Sequence, residues 1–457
     1  MIVMLGHHNT IPIEPARSHG RQRPARSDGA GSMPTNTFDR RIPQTRASER
    51  SSGVTACLHR GLPLFLVGIA AVGCGSNVTS GQEPYGGESA GGAPAVSNDA
   101  NGFAATEDPD GTISELSIRD VDSGAVYDAV GRPVAGDARS PLTPLVGYNQ
   151  FWFAWSVFNH DSEIFGTAER VSTAPLEPDA ECAVPCNEIV LGCPGTDCIP
   201  ALTRPRQVPP DSPEASYLAD NSYVVGVDVG GDGRAYPHNI FWWHEIVNDV
   251  VGGVPIALTH CPLTFSSIGH DPTKFASGQT VELGVSGRLF NNNLTFYDRT
   301  DGSWFVQLLG VGTQGDALGL PAPRVHVWEM TWAAWRALHP ESTVLSDDTG
   351  HARSYGQYPY GTYFVDQQDF RATNPPDDPR FPKKETTYGV RFDDAAKAYP
   401  YSALAAWANE TYGEDSAPAG VVNDSVGSHP VVVVFDLDAR YVQAFDGTGL
   451  GNMEVAR

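Results

Sequence analysis

The amino-acid sequence predicts an α+β, strand-rich fold, a single domain with a split internal two-fold repeat in which short Trp-bearing helices pack on sheets. Three observations carry this expectation. Residues 224–243 (VVGVDVGGDGRAYPHNIFWW) align without gaps on 387–406 (TYGVRFDDAAKAYPYSALAA), matching Gly226 with Gly389, Val227 with Val390 and one Ala-Tyr-Pro with another. Both copies continue into Val-Asn-Asp, at 247–249 and 422–424, and then into β-branched runs opened by Pro255 and Pro430. Two further stretches carry tryptophans at i and i+3, Trp152/Trp155 and Trp332/Trp335, each followed by a short strand-like segment.

Taken from the N-terminus, residues 62–72 (LPLFLVGIAAV) form an apolar run of 11 that follows His59 and Arg60 and precedes Gly73-Cys74. That is a signal peptide over 54–73, too short for the roughly 20 residues that span a bilayer. Its end, Ala71-Val72-Gly73-Cys74, resembles the bacterial lipobox, which implies lipidation at Cys74 and a membrane partner through that anchor. The expected location is the cell envelope, with Gly75 implying outer-membrane sorting; ordinary cleavage and secretion is the alternative. Residues 1–53, rich in Arg, Pro and Ser, are expected to precede the true start, near Met33 or Val54. The lipidated Cys74 opens a flexible tether over 74–114, dominated beyond it by Gly, Ser, Ala, Asn, Pro and Asp.

The formal charge is −24 over 457 residues, and without the nine arginines and four acidic residues of 1–73 it becomes −29. Such a surface repels nucleic acid, so no nucleic-acid partner is expected. With 40% hydrophobic residues the chain can bury a large core over 115–457. Unit one covers about 217–350. In it the Trp helix follows the hairpins, whereas the matching helix of unit two lies far upstream. Unit two is therefore completed by both ends of the chain, about 118–165 plus 385–457.

Between them lies a Cys-rich loop over 180–200, with Cys182, Cys186, Cys193 and Cys198 spaced C-x3-C-x6-C-x4-C. Two disulfides or a four-thiolate zinc knot would each satisfy them, and export favours disulfides. This leaves Cys261 unpaired, next to His260 and Pro262. It is either a small buried hydrophobe or a thiol kept for its reactivity.

Arg234-Ala-Tyr-Pro237, Trp243-His244-Glu245-Ile-Val-Asn248-Asp249, Gly253-Val-Pro255, Cys261-Pro-Leu263, Gly284-Val-Ser-Gly287, Tyr297-Asp-Arg299, Gly302-Ser-Trp304 and His339-Pro340 stand in this order. Together they resemble the bacterial domain-of-unknown-function family 3179. The resemblance implies no reaction. Members often show Cys-Pro-Leu-Cys where this chain has Cys261-Pro-Leu-Thr264, a departure that argues against a CxxC dithiol mechanism here.

The duplication also separates structure from chemistry, because a core residue should recur in both units. His260 falls opposite Phe435, Cys261 opposite Asp436, His270 opposite Phe445, and His244 opposite Trp407 or Ala419. These groups belong to unit one only. A thiol-dependent site would use Cys261 with His260, His244 and Glu245 as catalytic groups. A metal site for zinc or copper would use Cys261, His244 and His260. Adjacent residues of a strand point to opposite faces, so His260 and Cys261 share one centre only if the strand bends. Arg288, Asp298 and Arg299 form either a substrate-binding anion site or a structural ion-pair network. The loop 228–233 (DVGGDG) lacks the alternating ligands of an EF-hand and reads as a hairpin turn. Two functions remain: a thiol- or metal-dependent enzyme of the envelope, or a non-catalytic binding module with Cys261 buried.

Overall fold

Each Ala-Tyr-Pro segment ends the second strand of a hairpin, and its proline, which lacks an N–H, stands at the N-cap of a helix. Pro237 precedes the helix His238–His244, and Pro400 precedes its counterpart, Tyr401–Tyr412. This is the protein's computed structural model, which describes residues 113–134, 139–376, 378–413 and 418–456. The expected signal peptide, Cys74 and the tether up to 112 lie outside the described residues. Among the described residues no helix is long and apolar enough to cross a membrane.

The two units build matching sheets. In unit one the strand order is Trp328–Thr331, Tyr223–Val229, Asp232–Pro237, Thr343–Leu345, with Gln207–Val208 added at the edge. In unit two it is Gly147–Phe151, Thr386–Arg391, Ala396–Pro400, Glu163–Ile164. Each central hairpin is antiparallel, its first neighbour pairs antiparallel and its last pairs parallel. The chain order differs but the pairing is the same, as the split repeat requires.

The shared residues have shared work. Gly226 and Gly389 lie under the rings of Trp335 and Trp155, where a Cβ would collide with the indole. The same tryptophans donate Nε1–H to Ser342 Oγ at 2.9 Å and Ser162 Oγ at 2.8 Å, fixing the helices Trp332–Leu338 and Trp152–Phe158 on their sheets. The repeated tyrosine donates to the repeated aspartate, Tyr236 to Asp249 at 2.7 Å and Tyr399 to Asp424 at 3.0 Å, with Arg234 and Lys397 pairing the same carboxylates. The repeated asparagine staples the next strand through both amide atoms, Asn248 to the backbone of Leu283 and Asn423 to that of Met453. These motifs are structural, because each satisfies buried polar groups that a sheet packed on a helix would otherwise strand.

A three-stranded meander follows in each unit: Ile246–Val251, Val254–Cys261 and Ser266–His270, against Ala419–Val426, His429–Asp436 and Tyr441–Asp446. Unit one adds the sheet of Leu283–Phe290, Asn293–Asp298 and Trp304–Val306. The extra residues of unit two lengthen its helix to 12 residues, where the unit-one helix has seven. Residues 346–385 join the units and carry no helix or strand among the described residues.

Candidate functional site

Cys261 ends the Val254–Cys261 strand at 1% exposure, in the same buried apolar cluster as Phe290, Leu294 and Phe296. Its Sγ accepts from Leu294 N at 3.2 Å and donates to the Asn292 carbonyl at 3.4 Å. Burial pushes the thiol up to about 11, and the Glu245 carboxylate adds to this. A thiolate is therefore disfavoured in this setting, which accords with the buried-hydrophobe alternative for Cys261. The strand keeps an unbroken register through Cys261, so His260 looks to the other face, its ring 4.1 Å from that of His238 and 5.6 Å from that of Phe241.

His244 is engaged elsewhere. Its Nδ1 meets the Pro200 carbonyl and its Nε2 the Tyr355 hydroxyl, both at 2.7 Å, and burial pushes it down to about 4. His270 likewise meets the Pro323 carbonyl and Thr259 Oγ1, and burial holds it near 3. Glu245 is the C-cap of the 238–244 helix in the left-handed region (φ 56°), and its backbone carbonyl accepts His260 N at 2.7 Å. Burial raises its carboxyl to about 8. The expected metal set of Cys261, His244 and His260 is thus not gathered. Among the described residues no three His, Cys, Asp or Glu side chains converge as ligands for zinc or copper.

Arg288, Asp298 and Arg299 do not form one anion site either. Arg288 lies over the Trp304 ring, Asp298 is buried and accepts Thr300 N at 2.7 Å, and Arg299 pairs with Asp197 and Glu282. In the Cys-rich loop Cys182 pairs with Cys186 and Cys193 with Cys198, at Cα separations of 5.6 and 6.2 Å.

What the fold does bring together is a cleft of about 80 Å³ at the junction of the two units. The 238–244 helix contributes His238, Asn239 and Trp242, the 346–385 segment Tyr358 and Phe364, and unit two Arg440. Arg440 lies 4.8 Å from the Tyr223 ring centroid and donates to the Asn221 carbonyl at 3.3 Å. Three polar atoms on the cleft residues have no partner and are closed to solvent: Asn239 Oδ1, Trp242 Nε1 and Tyr358 OH. Asn239 is 6% exposed, and its orientation is determined because its Nδ2 donates to the Tyr355 carbonyl. Leaving such atoms unpaired costs about 1–3 kcal/mol each.

Behind the cleft wall lies a polar cluster. Ser267 Oγ sits 3.2 Å from His238 Nε2 and 3.0 Å from His260 Nδ1, and Glu329 Oε1 lies 3.7 Å from His238 Nε2. Burial holds His238 near 3 and His260 well below its ordinary value, and lifts Glu329 to about 7. Across the junction Glu329 accepts Asn149 N at 3.0 Å, and Tyr401 OH donates to Asn149 Oδ1 at 3.0 Å. Glu329 and Asn149 hold equivalent positions, so His238–Glu329 in unit one answers Tyr401–Asn149 in unit two.

Sequence reasoning missed His238, Asn239 and Trp242, although the ungapped repeat places them opposite Tyr401, Ser402 and Ala405. The same asymmetry test, applied to every aligned position rather than to soft ligands, finds them. Arg440 has no such signal, because only the tertiary fold carries it to unit one.

A model for the family described as "Protein of unknown function (DUF3179)" matches residues 196–454. No curated protein and no solved structure matches the chain. With the match covering more than half of the 457 residues, from the Cys-rich loop to the last strand, the chain belongs to the DUF3179 family.

Proposed function

We propose that this chain is an exported, lipid-anchored protein of the cell envelope whose folded domain is a non-catalytic binding module, with its ligand seated in the cleft at the unit junction. The observation that carries the reading is that three unpartnered buried polar atoms, on Asn239, Trp242 and Tyr358, belong to residues lining one cleft. A ligand that hydrogen-bonds these atoms recovers the free energy they otherwise forfeit. The burial of Cys261 supports a binding role over thiol chemistry, because its neighbours favour the protonated form.

Two measurements test the two halves of this reading. Cys74→Ala should abolish lipid processing and move the protein out of the membrane fraction; unchanged membrane association removes the anchor. A thermal-shift screen of small polar compounds should give stabilisation that Trp242→Ala abolishes. A stabilisation untouched by that substitution places the ligand elsewhere.

A further inference from the structure

If the cleft is the ligand site, the chemistry of its wall narrows the ligand, and the narrower reading rests on that broader one. The three unpartnered atoms differ in kind: Asn239 Oδ1 only accepts, Trp242 Nε1 only donates and Tyr358 OH does both. A ligand that meets them needs several groups able to donate and accept, which describes hydroxyls around a ring. The same wall is aromatic, with Trp242 and Tyr358 edge to face at 4.9 Å and Tyr358 stacked on Phe364 at 4.6 Å. It suits a ligand with an apolar face. The lining residues include no carboxylate and one guanidinium, Arg440, in a chain of net charge −24. Within the cleft an amine would meet Arg440 and no counter-charge, whereas an acidic group would find a counter-charge in Arg440 and a neutral group needs none.

We propose that the cleft binds one hexopyranose unit of a glycan, neutral or acidic, with its C–H face on the aromatic wall and its hydroxyls on Asn239, Trp242 and Tyr358. The atoms are closed to solvent, so entry requires Tyr358 and Phe364 to yield. Both sit on the 346–385 segment, and a connection of that length without regular structure is the kind of element that serves as a binding loop.

The experiment titrates the mature full-length protein, and its Trp242→Phe variant, with glucose, galactose, glucuronate, galacturonate, glucosamine and adenine, read by calorimetry. Trp242→Phe keeps an aromatic wall and deletes the N–H; its unchanged melting curve establishes that it folds. A neutral hexose or uronate should bind, glucosamine should bind at least about tenfold more weakly than its neutral parent, and Trp242→Phe should weaken the sugar about tenfold, the scale of one hydrogen bond. Adenine binding in a Trp242-dependent way, with no sugar bound, overturns the sugar and leaves the cleft standing. Sugar binding indifferent to Trp242→Phe overturns the placement. If neither these compounds nor the broader screen binds in a Trp242-dependent way, both readings fall.

Discussion

Cys261 and His260 are neighbours with opposite fates, because a strand turns successive side chains to opposite faces. The thiol enters an apolar layer and is held by two backbone groups, while the imidazole joins Ser267 and His238. The thiol's protonated form is favoured up to about pH 11. Iodoacetamide at pH 8 should therefore leave Cys261 unmodified in the folded protein and modify it fully once denaturant is added. Rapid labelling of the native state, with the near-UV spectrum intact, would restore the thiol-enzyme reading.

At the scale of elements, a buried cation, Lys384, ties together the 363–369 part of the 346–385 segment. Lys384 Nζ donates to the carbonyls of Tyr363, Asp366 and Asp369 and lies 3.4 Å from the Tyr363 ring centroid. The ammonium does for this loop what a bound ion does elsewhere, gathering carbonyls that no sheet partner satisfies. Lys384→Met keeps the stem's volume but strands these carbonyls. It should cost about 2–4 kcal/mol in denaturant unfolding and open the loop near residue 365 to limited proteolysis. A variant as stable and as protease-resistant as the parent would mean that the loop's other contacts, such as the bonds of Tyr363 OH to the Leu263 carbonyl and of Arg371 to the Tyr360 carbonyl, hold it without Lys384.

For the whole molecule, the buried titratable groups set opposing pH dependences. His238, His244, His260, His270 and His326 are all pushed below 6.5 by burial. Below that pH the unfolded chain binds more protons than the folded one, so stability falls as pH drops. Glu245 near 8, Glu329 near 7 and Asp436 near 6 act the other way, since the folded state keeps their protons longer and stability falls as pH rises through these values. Between pH 6.5 and 8 the carboxyls dominate; below 6.5 the five histidines outnumber them. The melting temperature should peak near pH 6.5 and fall on both sides, steeply toward acid. A melting temperature still rising between pH 7 and 8 would contradict this assignment.

The sequence by itself determined the strand-rich α+β class, the duplication and its split order, because a repeated core must repeat the residues that fill and satisfy it. Gly226 and Gly389 make room for tryptophan, and Tyr236 and Tyr399 bond the matching aspartates, so the repeat is legible as identity. The site was legible only in part. Unit-one asymmetry pointed to His260, which joins the cluster behind the cleft, and also to Cys261 and His244, whose bonds lie outside that cluster. Facing direction and burial decide those outcomes, and neither is written in spacing. Arg440 reaches Tyr223 from more than 200 residues away, and Tyr358 comes from a segment with no periodicity. Only the tertiary structure places them together, because packing the two units against each other creates a junction that neither unit's own sequence describes.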